Sequence, residues 1–186
     1  MTRTLVIGGA RSGKSALAER LAQESGKQVA YVATAQAGDG EMGARILHHR
    51  ARRPGHWHTV EEPLLLADAL RRACRPGAIV LVDCLTLWLT NLMLCDDVAL
   101  PGSGELALPA AFERERTAFL DLLEAGLPGD LVLVSNEVGM GIVPIGALAR
   151  RFADEAGRLN QAVASRVERV ILVAAGLPLV LKGPPC

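Results

Sequence analysis

At 186 residues, the chain is long enough for one compact unit with a single sizeable core and too short for two, so one domain over 1–186 is expected. Its 20 basic side chains balance 20 acidic ones and half of its residues are apolar, which argues against a polyanion-binding surface, a disordered tail, and nucleic acid as a partner. Aromatic residues make up only 3%; Leu, Val, Ile and Ala fill the core-like segments, as suits a buried parallel sheet covered by helices.

In chain order, the first strand signal is "TLVIG" (4–8), followed by "GGARSGKS" (8–15) and a helical pattern over Lys14 to Ser25. "QVAYVAT" (28–34) is the second strand signal, and a helix is expected over roughly Glu41 to Arg52, inside the His- and Arg-rich stretch Gly40 to Pro63. Helical spacing returns over Pro63 to Arg75 and leads to the strand "AIVLVDC" (78–84). The most apolar window, Ala78 to Leu94, carries Asp83 and Asn91 and falls short of the ~20 apolar residues a membrane span needs; it reads as core. Cys95 to Pro109 is a Gly/Pro-punctuated loop, followed by a helix over Ala110 to Ala125 and the strand "DLVLVSN" (130–136). A helix over Ile145 to Arg166 has an amphipathic face of Leu148, Phe152, Leu159 and Val163, "RVILVAAG" (169–176) is the fifth strand, and "GLPLVLKG" (176–183) is an expected edge strand.

Strands alternating with helices are the signature of βαβ units and a mainly parallel sheet. Cys74, Cys84, Cys95 and Cys186 form no C-x-x-C pair and read as reduced thiols. The N-terminus enters a strand directly, without the features of a secretory signal, so a cytoplasmic protein is expected.

Gly8, Gly13, Lys14 and Ser15 fit G-x-x-x-x-G-K-[ST], with a strand signal before and a helix signal after, the context this motif requires. The segment Gly8, Gly9, Ala10, Arg11, Ser12, Gly13, Lys14 and Ser15 is therefore expected to cradle a nucleotide: backbone N–H groups point at phosphate oxygens and the helix dipole assists. In that arrangement Lys14 reaches the β- and γ-phosphates and Ser15 ligates Mg²⁺. Asp83, ending an apolar strand, is the expected second ligand of the metal. By the switch-point rule, Asn136 and Glu137 face the same crevice.

All four histidines, His48, His49, His56 and His58, fall within eleven residues, interleaved with Arg45, Arg50, Arg52 and Arg53. Adjacent His48 and His49 diverge by about 100° on a helix, and no thiol lies nearby to complete a structural zinc set. A solvated basic surface and a nucleophilic imidazole flanked by charge-neutralising arginines stand as the two other readings.

Six segments in order, "GGARSGKS", "YVATAQ", "DGEMGARILHHRARRPGHWHTVEEP", "DCLTLWLTNLM", "VSNEVGMGIVP" and "LARRFADEAGRLNQAVA", resemble the bifunctional adenosylcobinamide kinase / adenosylcobinamide-phosphate guanylyltransferase family over almost the whole chain. The resemblance implies a P-loop NTPase-like α/β fold, commonly assembled as a trimer. It implies phosphorylation of adenosylcobinamide by ATP or GTP with Mg²⁺, then transfer of GMP from GTP to adenosylcobinamide phosphate. It places the guanylylated nucleophile at His49, with adjacent His48 as the alternative register. It also places Thr34, Ala35, Gln36, Arg50, Ala51, Arg52, Arg53, Glu61 (or its neighbour Glu62) and Asp83 near the nucleotide. A nucleotide-dependent switch and an enzyme retaining only one of the two activities are the competing functions.

Overall fold

A computed structural model describes residues 1–36, 54–95 and 107–184. Its strands are β1 (Arg3–Gly8), β2 (Gln28–Ala33), β3 (His58–Glu61), β4 (Ala78–Asp83), β5 (Asp130–Asn136), β6 (Arg169–Ala174) and β7 (Leu177–Lys182). Its described helices are α1 (Lys14–Glu24), α2 (Leu66–Ala73), α3 (Leu85–Met93), α4 (Ala110–Ala125) and α5 (Ala147–Arg166). The strands form one sheet in the order β3-β2-β4-β5-β1-β6-β7. All pairings are parallel except that of β7, which runs antiparallel to β6.

The strands read as unbroken apolar runs because helices cover both faces of the sheet. With a side-chain period of two, Leu5, Val80, Val82, Leu131 and Leu133 project to one face, where they meet Leu66 and Leu70 of α2, Trp88 of α3, Phe119 of α4 and Leu159 of α5. Val6, Ile79, Leu81, Val132 and Val134 project to the other face, against Leu17, Ala18 and Ala22 of α1. Trp88 is fully buried, meets Phe119 edge-on at 5.1 Å between ring centroids, and donates its Nε1–H to the Leu64 carbonyl oxygen at 2.8 Å.

The expected P-loop α/β architecture is present, and the tail forms the expected edge strand. Two elements differ from the sequence expectation. Strand β3 lies inside a stretch read as irregular; "HTVE" is an edge strand with mostly exposed side chains, so it carries no apolar alternation to read. Helix α3 lies inside the window read only as core. Leu85, Thr86, Trp88, Leu89, Leu92 and Met93 are all buried, and a helix this thoroughly enclosed lacks the polar stripe that reveals a helical period. Boundaries also move. Helix α2 begins at Leu66 rather than Pro63, because the Glu62 carboxylate accepts the N–H groups of Leu64 and Leu65 ahead of the first turn. The helix expected over roughly Glu41 to Arg52 lies outside the described residues.

Candidate functional site

The C-terminal ends of the strands share one rim. Gly8 pairs in register with Asn136, Ala33 with Asp83, and Ala33 with Glu61. From β1 the chain passes over β5 and β4 to reach β2, whereas β6 lies on the opposite side of β1, so the rim contains the kind of switch point at which open α/β sheets hold ligands.

The cradle is built by close backbone approach. A Cβ at Gly8 would stand 2.4 Å from the Val173 carbonyl oxygen and 2.6 Å from Ser12 Oγ; only glycine fits. Gly13 has φ 99°, and a Cβ there would stand 3.1 Å from Gly176 Cα. The loop is tied by Ser12 N–H to the Gly9 carbonyl oxygen at 3.3 Å and by Gly176 N–H to the Ser12 carbonyl oxygen at 2.8 Å. Gly9, Ala10 and Arg11 are exposed, while Ser12 and Ser15 are half-buried. Lys14 opens α1, is 9% exposed, and donates from Nζ to the Gly9 carbonyl oxygen at 3.1 Å. Burial holds its pKa below the usual lysine value, against the opposing influence of Cys84 and Asp83. A cation placed at a helix N-terminus amid free loop N–H groups suits a phosphate chain.

Across the rim, Asp83 accepts the Tyr31 hydroxyl at Oδ2, 2.9 Å away. Its Oδ1 makes no hydrogen bond among the described residues, so one carboxylate oxygen is available. Together with the Ser15 hydroxyl it offers the hard oxygen donors that Mg²⁺ prefers, and the pair fits that ion. Next to Asp83, burial pushes the Cys84 thiol up to about 12, making it a neutral packing group.

Thr34 is fully buried. Its hydroxyl donates to the Cys84 carbonyl oxygen at 2.8 Å and accepts the Cys84 N–H at 2.9 Å. Asn91 Nδ2 donates to the carbonyl oxygens of Thr34, at 2.8 Å, and Pro63, at 3.1 Å. Thr34 thus locks the ends of β2 and β4 together, with Ala35 half-buried and Gln36 exposed beyond it. The adjacent glutamates divide: Glu62 caps the entry to α2 and faces Arg72 at 3.8 Å, whereas Glu61 stands exposed at the rim end of β3.

The switch-point pair differs as well. Asn136 N–H donates to Thr86 Oγ1 at 2.7 Å, the Asn136 carbonyl oxygen accepts from Asn160 Nδ2 at 3.1 Å, and Glu137 N–H donates to the Gly8 carbonyl oxygen at 3.0 Å. Glu137 Oε1 accepts the Gly139 N–H at 2.7 Å, shaping the turn that follows. Tyr31, Thr86 and Asn160 are rim supports that the sequence reading did not single out, and Gly176, expected only as a turn ahead of the edge strand, also ties down the loop through Ser12. Asn91 left a trace, as an amide inside an otherwise apolar run.

His48, His49, Arg50, Ala51, Arg52 and Arg53 lie outside the described residues. His56 and His58 are exposed, and His58 opens β3 at the end remote from the rim. Among the described residues no group of three or more His, Cys, Asp or Glu side chains could hold a metal ion.

The family model for cobinamide kinase / cobinamide phosphate guanyltransferase matches residues 4–181. The chain is 60% identical over 183 residues to the bifunctional adenosylcobalamin biosynthesis protein CobP of Pseudomonas aeruginosa, covering 98% of this chain and 99% of that protein. It is 44% identical over 181 residues to the bifunctional adenosylcobalamin biosynthesis protein CobU of Escherichia coli K12, covering 96% and 98%. In fold it is similar to the ATPase EscN of the enteropathogenic E. coli type III secretion system, with a TM-score of 0.53, 11% identity, and coverage of 98% of this chain and 47% of that one. A solved structure of a prototypical ATPase from the type III secretion system of pathogenic bacteria gives a TM-score of 0.50 at 12% identity, covering 96% of this chain and 56% of that one. These two likenesses speak to the P-loop NTPase fold alone.

Proposed function

The chain belongs to the cobinamide kinase / cobinamide phosphate guanyltransferase family, and we propose that it carries out both reactions with one nucleotide cradle. In the first, the aminopropanol hydroxyl of adenosylcobinamide attacks the γ-phosphorus of ATP or GTP. A bond forms between that oxygen and phosphorus, the β–γ bridging bond breaks, and the nucleoside diphosphate leaves with the electron pair. Lys14 and the loop N–H groups bind and orient the phosphates and stabilise their charge. Ser15 and Asp83 would hold Mg²⁺, which when bound neutralises charge on the β- and γ-oxygens.

In the second reaction, a ring nitrogen of His49 attacks the α-phosphorus of GTP, forming a P–N bond as pyrophosphate departs. A phosphate oxygen of adenosylcobinamide phosphate then attacks the same phosphorus, the P–N bond breaks, and adenosylcobinamide-GDP is formed. A neutral imidazole serves this role at physiological pH without a separate base. Arg50, Arg52 and Arg53, beside it in sequence, supply positive charge for the phosphates, with Ala51, Thr34, Ala35, Gln36 and Glu61 completing the nucleotide's surroundings.

The observation that carries the reading is the Gly8–Ser15 loop closed around Lys14 and set beside Asp83 on one rim, in a chain matched to the family from residue 4 to residue 181. A single domain working in the cytoplasm suits a biosynthetic enzyme family; Cys74 and Cys84 form no disulfide among the described residues, and no described helix is long and apolar enough to cross a membrane. A homotrimer is the proposed assembly. Leu177, Leu179 and Leu181 on β7 and Met140, Ile142, Val143 and Ile145 ahead of α5 are all more than half exposed, an apolar surface that association between copies would cover.

The test incubates the protein with Mg²⁺ and GTP labelled at the α- or the γ-phosphate. Acid-labile, alkali-stable protein-bound label from the α-position alone, lost in His49→Asn, is the expected result. Guanylyl transfer preserved in a folded His49→Asn variant would remove His49 from the mechanism. No bound label from either nucleotide would favour a kinase or a switch.

A further inference from the structure

We propose that Tyr31 is a positioning residue of the metal site: its hydroxyl holds the Asp83 carboxylate with one oxygen engaged and the other presented to Mg²⁺, and Trp57 braces the Tyr31 ring in that pose. The inference rests on the reading of Asp83 as a metal ligand.

Tyr31 of β2 is in register with Leu81 of β4, and Ala33 with Asp83. Side chains alternate along a strand, so Asp83, two positions beyond Leu81, lies on the same face of the sheet as Tyr31. Helix α1 covers that face, where Tyr31 and Leu81 share one buried cluster with Leu17, Ala18 and Ala22. The helix that begins at the cradle therefore lies over the face from which Asp83 projects. The carboxylate is near enough to the Lys14 ammonium group to oppose the lowering of its pKa by burial. From its own register, the Tyr31 side chain reaches along the sheet toward the rim and meets Asp83 Oδ2 at 2.9 Å.

Tyr31 is 1% exposed. A phenolic hydroxyl at this depth needs a partner, and donating to an ionised carboxylate makes a bond about twice as strong as a neutral one. A role in joining the strands alone would be redundant. The Thr34 hydroxyl already bonds both the carbonyl oxygen and the N–H of Cys84, and the Thr34 N–H donates to the Asp83 carbonyl oxygen at 3.3 Å. What the Tyr31 bond adds is the orientation of the carboxylate. The last torsion of an aspartate is broad and roughly two-fold, and attraction to a nearby ammonium group would turn an unrestrained carboxylate toward it. Among the described residues no ion pair joins Asp83 to Lys14, whose Nζ donates to the Gly9 carbonyl oxygen instead. With Oδ2 engaged by Tyr31, Oδ1 is left for a hard cation.

Trp57, 7% exposed and immediately ahead of β3, stacks on Tyr31 with ring centroids 6.5 Å apart and planes inclined by 28°. Its backbone N–H is tied to the Pro54 carbonyl oxygen at 3.0 Å. The phenol ring is thus held by the indole and by the α1-side core, and its hydroxyl has a fixed place to act from. Partners of this kind behind a ligating group are worth about 10–100-fold in metal affinity.

The experiment compares wild type, Tyr31→Phe, Asp83→Asn, the double variant and Trp57→Phe as full-length protein. It measures Mn²⁺ binding by electron paramagnetic resonance with a non-hydrolysable ATP analogue present, analogue binding without metal, the Mg²⁺ dependence of phosphoryl transfer, and thermal unfolding. Tyr31→Phe keeps the ring and its stacking and removes only the hydroxyl. It is expected to weaken Mn²⁺ binding about tenfold and to raise the half-saturating Mg²⁺ concentration by a similar factor, while metal-free analogue affinity stays within about twofold of wild type. In the Asp83→Asn background the same substitution should change Mn²⁺ affinity less than about twofold, because the group it acts through is gone. Trp57→Phe should weaken Mn²⁺ binding about threefold in the same selective way. Wild-type Mn²⁺ affinity in folded Tyr31→Phe, an equal loss with and without the Asp83 carboxylate, or an equal fall in metal-free analogue binding overturns the role. Should Tyr31→Phe fail to fold, Trp57→Phe decides by the same comparison. Wild-type Mn²⁺ affinity in Asp83→Asn instead overturns the reading of Asp83 as a ligand, and this inference with it.

Discussion

The Lys14 ammonium group donates to the carbonyl oxygen of Gly9 across the loop whose helix it opens, at 3.1 Å. The cation thereby holds its own cradle closed and stands ready to exchange a carbonyl partner for a phosphate oxygen. Lys14→Met should lower phosphoryl transfer by about 100-fold or more and weaken MgATP binding, as read by single-turnover kinetics and titration. Melting should be unchanged or slightly raised, because a buried cation is replaced by an apolar chain of similar length.

Gly8→Ala tests the close approach beneath the loop. The new methyl group would press on the Val173 carbonyl oxygen, which is backbone and cannot swing aside. Loss of about 1–3 kcal/mol in urea denaturation is expected, together with weakened nucleotide binding as the loop moves off β6.

Trp88→Phe tests the buried helix behind the rim. The shorter ring leaves a void beside Phe119 and removes the donor that satisfies the Leu64 carbonyl oxygen. A destabilisation of about 2 kcal/mol is expected, seen as a lower urea midpoint with an unchanged slope.

Arg3 and Glu168 give the sheet an acid-sensitive clasp. Hydrogen bonds from the Arg3 side chain hold the Glu168 carboxyl at about 2 against an ordinary value of 4.5. A depressed folded-state value means that the contribution is complete above the ordinary value and lost as pH falls toward about 2. Glu168 is 44% exposed, so the pair contributes on the order of 1 kcal/mol or less. Glu168→Gln should lower stability at pH 6 by that amount and leave the difference from wild type smaller at pH 3, measured by denaturant titration at the two pH values.

The cradle was legible in the sequence because its requirements are local: glycine where a side chain cannot fit, a lysine that opens a helix, an apolar strand immediately before. Asp83 was legible for a similar reason, as an acid that ends a run of buried residues. Tyr31, Thr86 and Asn160 were not, because each acts on a residue far away in the chain and reaches it only through the sheet order. Their spacing has no period to detect. Helix α3 was hidden by its own burial and β3 by its exposure, the two extremes at which amphipathic patterning vanishes. The assignment of His49 draws on family resemblance, while Asn136, noted at a strand end, is held by Thr86 and Asn160, partners that sequence spacing does not reveal.

The placement of β1 has a consequence for biosynthesis. Among the described residues its two partners are β5 and β6, and the Ser12 carbonyl oxygen is met by Gly176. Strand β1 therefore waits for residues 130–136 before it gains its first neighbour and for 169–174 before it gains its second, a non-local closure of the kind that slows folding. During that interval the nascent chain carries the cradle's sequence without its shape. Nucleotide can then stabilise only finished molecules, and the apolar first strand is the segment most in need of protection while synthesis continues.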